Sequence, residues 1–294
     1  MCSVSEIHYR WRSCGGIRSE MPIDIGKLTF EGESTMPVRN GFVAVELRNP
    51  AAALHVAVTD NRSEIPVHEH ESGQLILALC GAVTCHVPGS IWMVPPGRAV
   101  WIPAGVPHHS LATANSRMCF LFVQPNAACL PTQCSTLEIT PLVREMILHL
   151  ADQPYDDSNA DEHALRFIQV LLRELEKMST GGLQLPVSSH PKLKQLQDAL
   201  TADPSDRTTL AEWGRRIAIS ERTLARLIVR ETGMTFGRWR QQLHLLVALA
   251  QLSGGSSVQQ VSDALGYESA TSFIIMFKKA LGTTPARYFD NRTT

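Results

Sequence analysis

The chain has 294 residues, of which 44% are hydrophobic and 19% charged, and its formal net charge at pH 7 is −1. This length suits two domains, and no run reaches the roughly 18 apolar residues that a transmembrane helix needs, so we expect no membrane partner. The charge is uneven, because residues 190–294 hold 14 Lys and Arg against 9 Asp and Glu, whereas the remainder holds 13 against 19. A basic C-terminal third favours a polyanionic partner.

The first 22 residues lack the apolar stretch of a secretory signal, so we expect a cytoplasmic protein. All seven cysteines precede residue 135 and show no CxxC spacing. This favours reduced thiols, with a zinc cluster or a redox switch as the alternative. We expect residues 1–35 to form a poorly ordered N-terminal extension.

Short strands separated by turns dominate the stretch from about Leu54 to Val123. The runs are LHVAV, QLILALC, AVTCHV, IWMV, AVWI, HSLA and MCFLFV, and Gly and Pro clusters such as Pro95-Pro96-Gly97 separate them. Short strands at regular spacing with such turns predict a small all-β barrel or jelly roll.

Two motifs in this stretch resemble those of the cupin fold. The first is His68, His70, Gln74 and Gly81, and the second is Gly97, Pro103, Gly105 and His108. The resemblance implies a cupin-type sensor domain over residues 36–134, with a metal site at His68, His70, Gln74 and His108. Metal-binding cupins usually carry glutamate where Gln74 stands, so a divalent metal ion as cofactor stays open. The site also lacks the carboxylate that could act as a general base.

The alternative to a metal site is a polar cavity, in which the three histidines bond to Gln74 and to a ligand. Candidate walls for a small-molecule effector are Trp92, Trp101, Phe120 and Phe122. Aromatic residues at alternating strand positions also fit a plain core, so the sequence leaves both readings open.

Two amphipathic helices are predicted within residues 135–180. ITPLVREMILHL and DEHALRFIQVLLRELEKM place apolar residues at positions i, i+3 and i+4, so each helix has an apolar stripe that needs a partner. The stripes pack either on the barrel or on a second copy of the chain in a homodimer. Residues 181–190 then have linker composition.

A repeat occupies residues 191–292. The segments from Thr209 and from Ser257 each begin with a capping box, form a short helix, turn, and continue into a second helix that ends at Gly233 or Gly282. This plan predicts two helix-turn-helix motifs. Between them, FGRWRQQLHLLVALAQLS predicts a rigid connecting helix of roughly 25 Å. Such a rod could hold two recognition helices in successive major grooves.

This repeat resembles the AraC/XylS-type DNA-binding domain, through SERTLARLIVRETG, the connecting helix and GYESATSFIIMFKKALGTTPARYF. The resemblance implies that the second helix of each motif enters the major groove of double-stranded DNA. By position, the DNA-binding residues are Ser220, Glu221, Arg222, Ala225, Arg226 and Arg230, then Ser269, Thr271, Ile274, Ile275, Lys278 and Lys279. Arg222 and Arg226 share a helix face and suit guanine. Ile275 stands where the family commonly has arginine, so we expect the second motif mainly to anchor phosphates.

Together these patterns predict a two-domain α+β protein, with an N-terminal small β-barrel of the cupin or jelly-roll type and a C-terminal all-α tandem helix-turn-helix. We interpret it as a transcription regulator, activator or repressor, that responds to a small molecule in the barrel and controls neighbouring transport or catabolic genes. RNA polymerase is a further partner of an activator. Two alternatives remain, a dioxygenase-like cupin enzyme with an accessory helical domain and a metal-responsive regulator. The repeat and Gln74 argue against the enzyme, so we expect no catalytic residues.

Overall fold

A computed structural model describes residues 28–29, 38–39, 42–43, 47, 49–58, 63–95, 98–113, 116–153, 162–181 and 184–290. Its strands are β1 (Leu28–Thr29), β2 (Val38–Arg39), β3 (Phe42–Val43), β4 (Ala51–Val58), β5 (Ser63–His68), β6 (Gly73–Cys80), β7 (Val83–Val87), β8 (Ser90–Val94), β9 (Arg98–Ile102), β10 (His108–Ala112), β11 (Arg117–Val123), β12 (Ser135–Glu138), β13 (Thr180–Gly181) and β14 (Gln184–Pro186). The predicted N-terminal extension lies outside the described residues except for β1, which pairs with β4.

The helices are α1 (Pro141–Ala151), α2 (Glu162–Leu175), α3 (Pro191–Ala202), α4 (Leu210–Arg216), α5 (Glu221–Thr232), α6 (Phe236–Ser253), α7 (Val258–Ala264), α8 (Ala270–Leu281) and α9 (Pro285–Asp290). None of these described helices is long and apolar enough to cross a membrane. The connecting helix predicted from FGRWRQQLHLLVALAQLS corresponds to α6.

Two large antiparallel sheets form the N-terminal domain, as the strand pattern predicted. One has the strand order β1-β4-β11-β6-β9-β12-β13, and the other has the order β14-β8-β7-β10-β5. Buried side chains from both sheets, among them Val56, Ile76, Cys85, Trp92 and Phe120, pack into one cluster. This cluster is the barrel interior.

The outer face of the seven-stranded sheet is covered by α1 and α2. Val143 and Ile147 of α1 and Ile168 and Leu172 of α2 pack on the outward side chains of β4, β6, β9 and β11. The predicted amphipathic stripes therefore pack on the barrel. Trp101 belongs to this outer cluster, and its Nε1 donates to the Pro131 carbonyl at 2.8 Å. The prediction that Trp101 lines the barrel interior was therefore wrong.

The outer face of the five-stranded sheet packs on the helical domain at β8 and β14. Ala82, Met93 and Leu185 belong to the same buried cluster as Trp239 and Leu246 of α6. Leu185 lies in β14, a strand inside the predicted linker that pairs with β8. Residues 184–186 are thus part of the sensor sheet.

Each helix-turn-helix motif follows the predicted plan. Both capping boxes form, at Thr209 and at Ser257, and both second helices end at a glycine with a positive φ, 70° at Gly233 and 78° at Gly282. Gly214 lies where α4 meets the start of α5, and a Cβ there would sit 2.8 Å from the Ile219 carbonyl oxygen. The crossing of these helices therefore requires glycine.

Polar contacts of Arg207 and of the buried His244 join the two motifs. Arg207, which precedes α4, donates to the carbonyls of Leu265 and Gly266 in the turn of the second motif, and its guanidinium stacks on the Tyr267 ring. In α6, His244 donates from Nε2 to the Pro204 carbonyl and accepts from the Tyr267 hydroxyl, both at 3.0 Å. Burial, and then the charge of Arg207, lowers the pKa of His244 to about 4.

Replacing Gly214 by alanine is expected to destabilise the protein by about 1–3 kcal/mol, because the added methyl group forces the two helices apart. Gly237 in α6 is the matched control, since a Cβ there meets nothing within 4 Å and alanine is expected to be neutral or slightly stabilising in a helix. Urea unfolding measures both. Equal midpoints for Gly214→Ala and the wild type would contradict this account of the crossing.

His244 predicts a pH dependence of stability. Its pKa is lowered in the folded state, so its contribution is complete above the unfolded pKa near 6.5 and is lost as the pH falls toward about 4. The full loss amounts to up to about 3 kcal/mol. The free energy of unfolding of His244→Gln should fall less over this range than that of the wild type. His86 and His108 also have lowered pKa values and stay in both proteins, so parallel curves would refute the role of His244.

Candidate functional site

The first recognition helix, α5, presents an exposed basic face. Ser220 caps it, with its side chain accepting from the Thr223 amide, and Arg222 and Arg226 are exposed one turn apart. Glu221 is exposed and Ala225 is half-buried. Val229, which is 47% exposed, continues the stripe of Arg222 and Arg226 by one more turn. The sequence analysis missed it, although its i+3 spacing from Arg226 was visible.

Arg230, another predicted DNA-binding residue of α5, is bonded to a carboxylate. Its guanidinium donates to Glu231 at 2.9 Å, and Glu231 also accepts from the Ser188 hydroxyl at 3.1 Å. Arg230 therefore lies beside the junction of the two domains, at the end of the recognition helix.

The second recognition helix, α8, is mixed in character. Ser269 caps it, Thr271, Lys278 and Lys279 are exposed, and Ile274 is half-buried. Ile275 is 63% exposed, which is unusual for a large apolar side chain. The exposed face can thus offer an apolar contact and two ammonium groups.

The structure brings the four predicted metal-site residues together at one end of the barrel. The ring nitrogens of His68, His70 and His108 lie within 4.8 Å of one another. Gln74, which is buried in β6, lies with Oε1 2.9 Å from Nε2 of His108 and 3.2 Å from Nε2 of His70. His68 ends β5, whereas His70 lies in the following connection.

Backbone carbonyls fix the tautomers of two of these imidazoles. Nδ1 of His70 donates to the Ser72 carbonyl, and Nδ1 of His108 donates to the Val106 carbonyl at 2.9 Å. Burial, and then the neighbouring His68, lowers the pKa of His108 to about 3, so this ring is neutral near pH 7. A neutral ring that donates from Nδ1 has only a lone pair at Nε2.

The carboxamide of Gln74 can satisfy both lone pairs. Carboxamide oxygen and nitrogen are assigned from their hydrogen bonds, and only the NH₂ group can donate to the Nε2 atoms of His70 and His108. It has two hydrogens, one for each ring. A glutamate at this position could not donate in this way. With its NH₂ group on this side, Gln74 would join His70 and His108 by hydrogen bonds without an ion.

The remaining barrel interior is apolar and aromatic. Trp92, Phe120 and Phe122 belong to the interior cluster, and Phe122 meets His70 edge-on at 5.4 Å between ring centroids. Trp92 is 5% exposed, and its Nε1 has no hydrogen-bond partner within the described part of the chain. The interior thus combines apolar walls, a polar end and a free indole N–H.

Comparisons with known proteins agree with both halves of this arrangement. Residues 53–175 match the AraC-like ligand binding domain, and residues 213–291 match a helix-turn-helix domain. The HTH-type transcriptional regulator NimR of Escherichia coli (strain K12) is 48% identical over 255 residues, which cover 87% of this chain and 93% of that protein. The chain belongs to the AraC family of transcription regulators. It pairs an effector-responsive ligand-binding domain with a helix-turn-helix DNA-binding domain.

One more distantly related regulator and one solved structure also align with most of this chain. The HTH-type transcriptional activator RhaS of Yersinia pestis is 24% identical over 279 residues, 88% of this chain and 95% of that one. A solved structure of ToxT from Vibrio cholerae has 9% identity and a TM-score of 0.36, and the match covers 83% of this chain and 98% of that one.

Proposed function

We propose that this AraC-family regulator binds a small-molecule effector in the barrel interior and that the bound effector alters how α5 and α8 engage an operator. The single observation that carries the effector site is the Trp92 indole N–H, which is buried among apolar walls without a hydrogen-bond partner among the described residues. A buried donor without a partner is costly, so an effector with an acceptor atom would restore the lost bond. Trp92, Phe120 and Phe122 are the proposed ligand contacts.

The proposed DNA contacts are the predicted residues of α5 and α8. Arg222 and Arg226 would read guanine edges, since a guanidinium can donate to guanine O6 and N7 together. Ser220, Ser269, Thr271, Lys278 and Lys279 would position the helices on phosphates. Ile275 would touch a thymine methyl group. Arg230 would contact the DNA backbone only if its hydrogen bond to Glu231 were broken.

A metal-responsive regulator is the second candidate, favoured by the three clustered imidazoles. His68, His70 and His108 fit a divalent ion, because backbone carbonyls orient two of the rings toward Nε2 ligation. Such an ion would supply a positive charge to hold an anionic effector, or would itself be the signal. Gln74 Oε1, which faces Nε2 of His70 and of His108, would add a neutral oxygen ligand. Metal content after mild purification, compared with a His68→Ala, His70→Ala variant, distinguishes this candidate.

The remaining partners follow from the family and stay proposals. Leu142 on α1 and Val170 on α2 are exposed large apolar side chains, and we propose them as contacts of a homodimer. RNA polymerase is the further partner if the regulator activates neighbouring transport or catabolic genes. We propose a cytoplasmic protein, because its partner is DNA, and a role without catalysis, because the relatives are named as regulators.

The experiment that tests the proposal is a gel shift on the DNA upstream of the gene that encodes this chain. It is run alone, with divalent metal and with candidate effectors. A retarded band whose strength depends on an effector supports the proposal. Absence of a band under every condition counts against it.

Removing Arg226 should relax sequence selectivity. Arg226→Ala is expected to weaken operator binding by about 1–3 kcal/mol and to leave random DNA nearly unaffected, because it removes a base contact. Lys278→Ala should weaken both kinds of DNA alike and reduce the salt slope by about one, because it removes a phosphate contact. Fluorescence anisotropy over a salt series measures both variants. Equal losses on both DNAs for Arg226→Ala would refute its assignment to base reading.

Gln74→Glu should convert the histidine cluster into a stronger metal site. The carboxylate cannot donate to the imidazole lone pairs and adds an anionic ligand, so Zn²⁺ affinity is expected to rise by at least about tenfold. Competition with a chromophoric chelator measures it. The same substitution with His108→Ala is the control, which should lose the gain. Unchanged affinity in Gln74→Glu would show that the Gln74 carboxamide does not govern the cluster.

A further inference from the structure

Strand β8 is shared between the barrel interior and the core of the helical domain. Side chains on a strand point alternately to its two faces. Trp92 and Val94 lie in the barrel interior, whereas Met93 is buried in the helical core and Ile91 packs against that core. A single layer of backbone therefore separates an occupant of the barrel from the helices that carry α5.

The helical domain donates hydrogen bonds to one carbonyl group of β14, the strand next to β8. Strand β14 pairs with β8, and the Val187 amide after it donates to the Gly89 carbonyl at 2.9 Å. The Pro186 carbonyl accepts two hydrogen bonds, from Nε1 of Trp239 at 2.7 Å and from Nε2 of Gln197 at 3.3 Å. We call Trp239 and Gln197, with the Pro186 carbonyl that they hold, the Pro186 clamp.

The clamp is buried, so water cannot replace its hydrogen bonds without moving the domains. Trp239 is 1% exposed and Gln197 is 6% exposed. Both lone pairs of the Pro186 carbonyl are used. A shift of β14 therefore either carries α3 and α6 with it or breaks two buried bonds.

A second set of contacts continues from the clamp to the recognition helix. Oε1 of Gln197 accepts from the Ser188 amide at 2.9 Å, and the Ser188 hydroxyl donates to Glu231 in the last turn of α5. The contacts thus run from the barrel wall through β8 and β14 to the end of α5.

We propose that the Pro186 clamp transmits changes inside the barrel to α5, with Trp239 and Gln197 as positioning residues for the first recognition helix. The inference rests on the proposed function, because it takes α5 as the reader of the operator. An occupant that accepts a hydrogen bond from Trp92 displaces β8, and β14 follows through their shared ladder. The clamp then moves α3, α6 and the end of α5, which changes the angle at which α5 meets DNA.

The test is a double-mutant cycle in the full chain, which needs no identified effector. Trp92→Phe perturbs the barrel side, Gln197→Met opens the clamp while keeping volume, and the double variant combines them. The probe is an operator selected by the wild-type chain from random duplex DNA, and anisotropy gives the affinities. Trp92→Phe should change operator affinity by at least about fivefold in the wild-type background, but by less than about twofold beside Gln197→Met.

Two further variants keep this test decisive. Gln195→Met is the matched control, because Gln195 is exposed on the same helix, and it should leave the effect of Trp92→Phe intact. Trp239→Phe is the second clamp variant, since it removes the N–H and keeps an aromatic ring, and it should reproduce Gln197→Met.

The proposal is overturned if Trp92→Phe changes operator affinity equally in both backgrounds, or if it changes nothing in the wild-type background. Failure of the proposed function looks different, because the wild-type chain would then select no operator over random DNA. Hydrogen exchange at the Val187 amide gives an independent readout. It should speed up in both clamp variants and stay unchanged in Gln195→Met.

Discussion

Burial on both faces of the seven-stranded sheet, and of β8 and β14 in the five-stranded sheet, is the constraint on which the rest of the structure depends. Alternate side chains of β6 and β11 are apolar on each side, so neither face of the seven-stranded sheet tolerates water. The barrel interior covers one face and α1 and α2 cover the other. In the five-stranded sheet, the helical domain covers the outward side chains of β8 and β14. The helical DNA-binding domain therefore covers apolar surface that the sensor domain alone would expose to water.

The same constraint explains where sequence reasoning succeeded and where it failed. Runs such as QLILALC predicted strands, and the capping boxes at Thr209 and Ser257 marked helix starts, because both signals are local. Trp101 was assigned to the wrong face because β9 is apolar on both sides, which removes the alternation that distinguishes inside from outside. β14 was not predicted, because its residues have the composition of a linker. Its pairing with β8 depends on residues far away in sequence. The bonds to the Pro186 carbonyl span 11 and 53 residues and have no sequence signature.

Part of the candidate site could be predicted from the sequence, and the chemistry of its side chains explains which part. Histidine spacing brought His68, His70 and His108 together as expected, because β5 and β10 are neighbours in the five-stranded sheet. The role of Gln74 could be read only as the loss of a carboxylate. Its position between two Nε2 lone pairs shows a gain as well, because an amide can donate where a carboxylate cannot. Burial and backbone carbonyls, which set the charge and tautomer of these rings, depend on the folded chain.

The contacts that Arg207 and His244 make across the two helix-turn-helix motifs have a consequence for the nucleic acid itself. A DNA-binding domain whose two motifs are joined by these hydrogen bonds and by a continuous apolar core resists stretching or rotation to match an imperfect groove spacing. The duplex has to supply the adjustment, and bending it by 40–90° costs on the order of 1–6 kcal/mol, less where flexible pyrimidine–purine steps lie at the bend. Base pairs between the two contacted grooves would then influence affinity through their stiffness, although no side chain touches them.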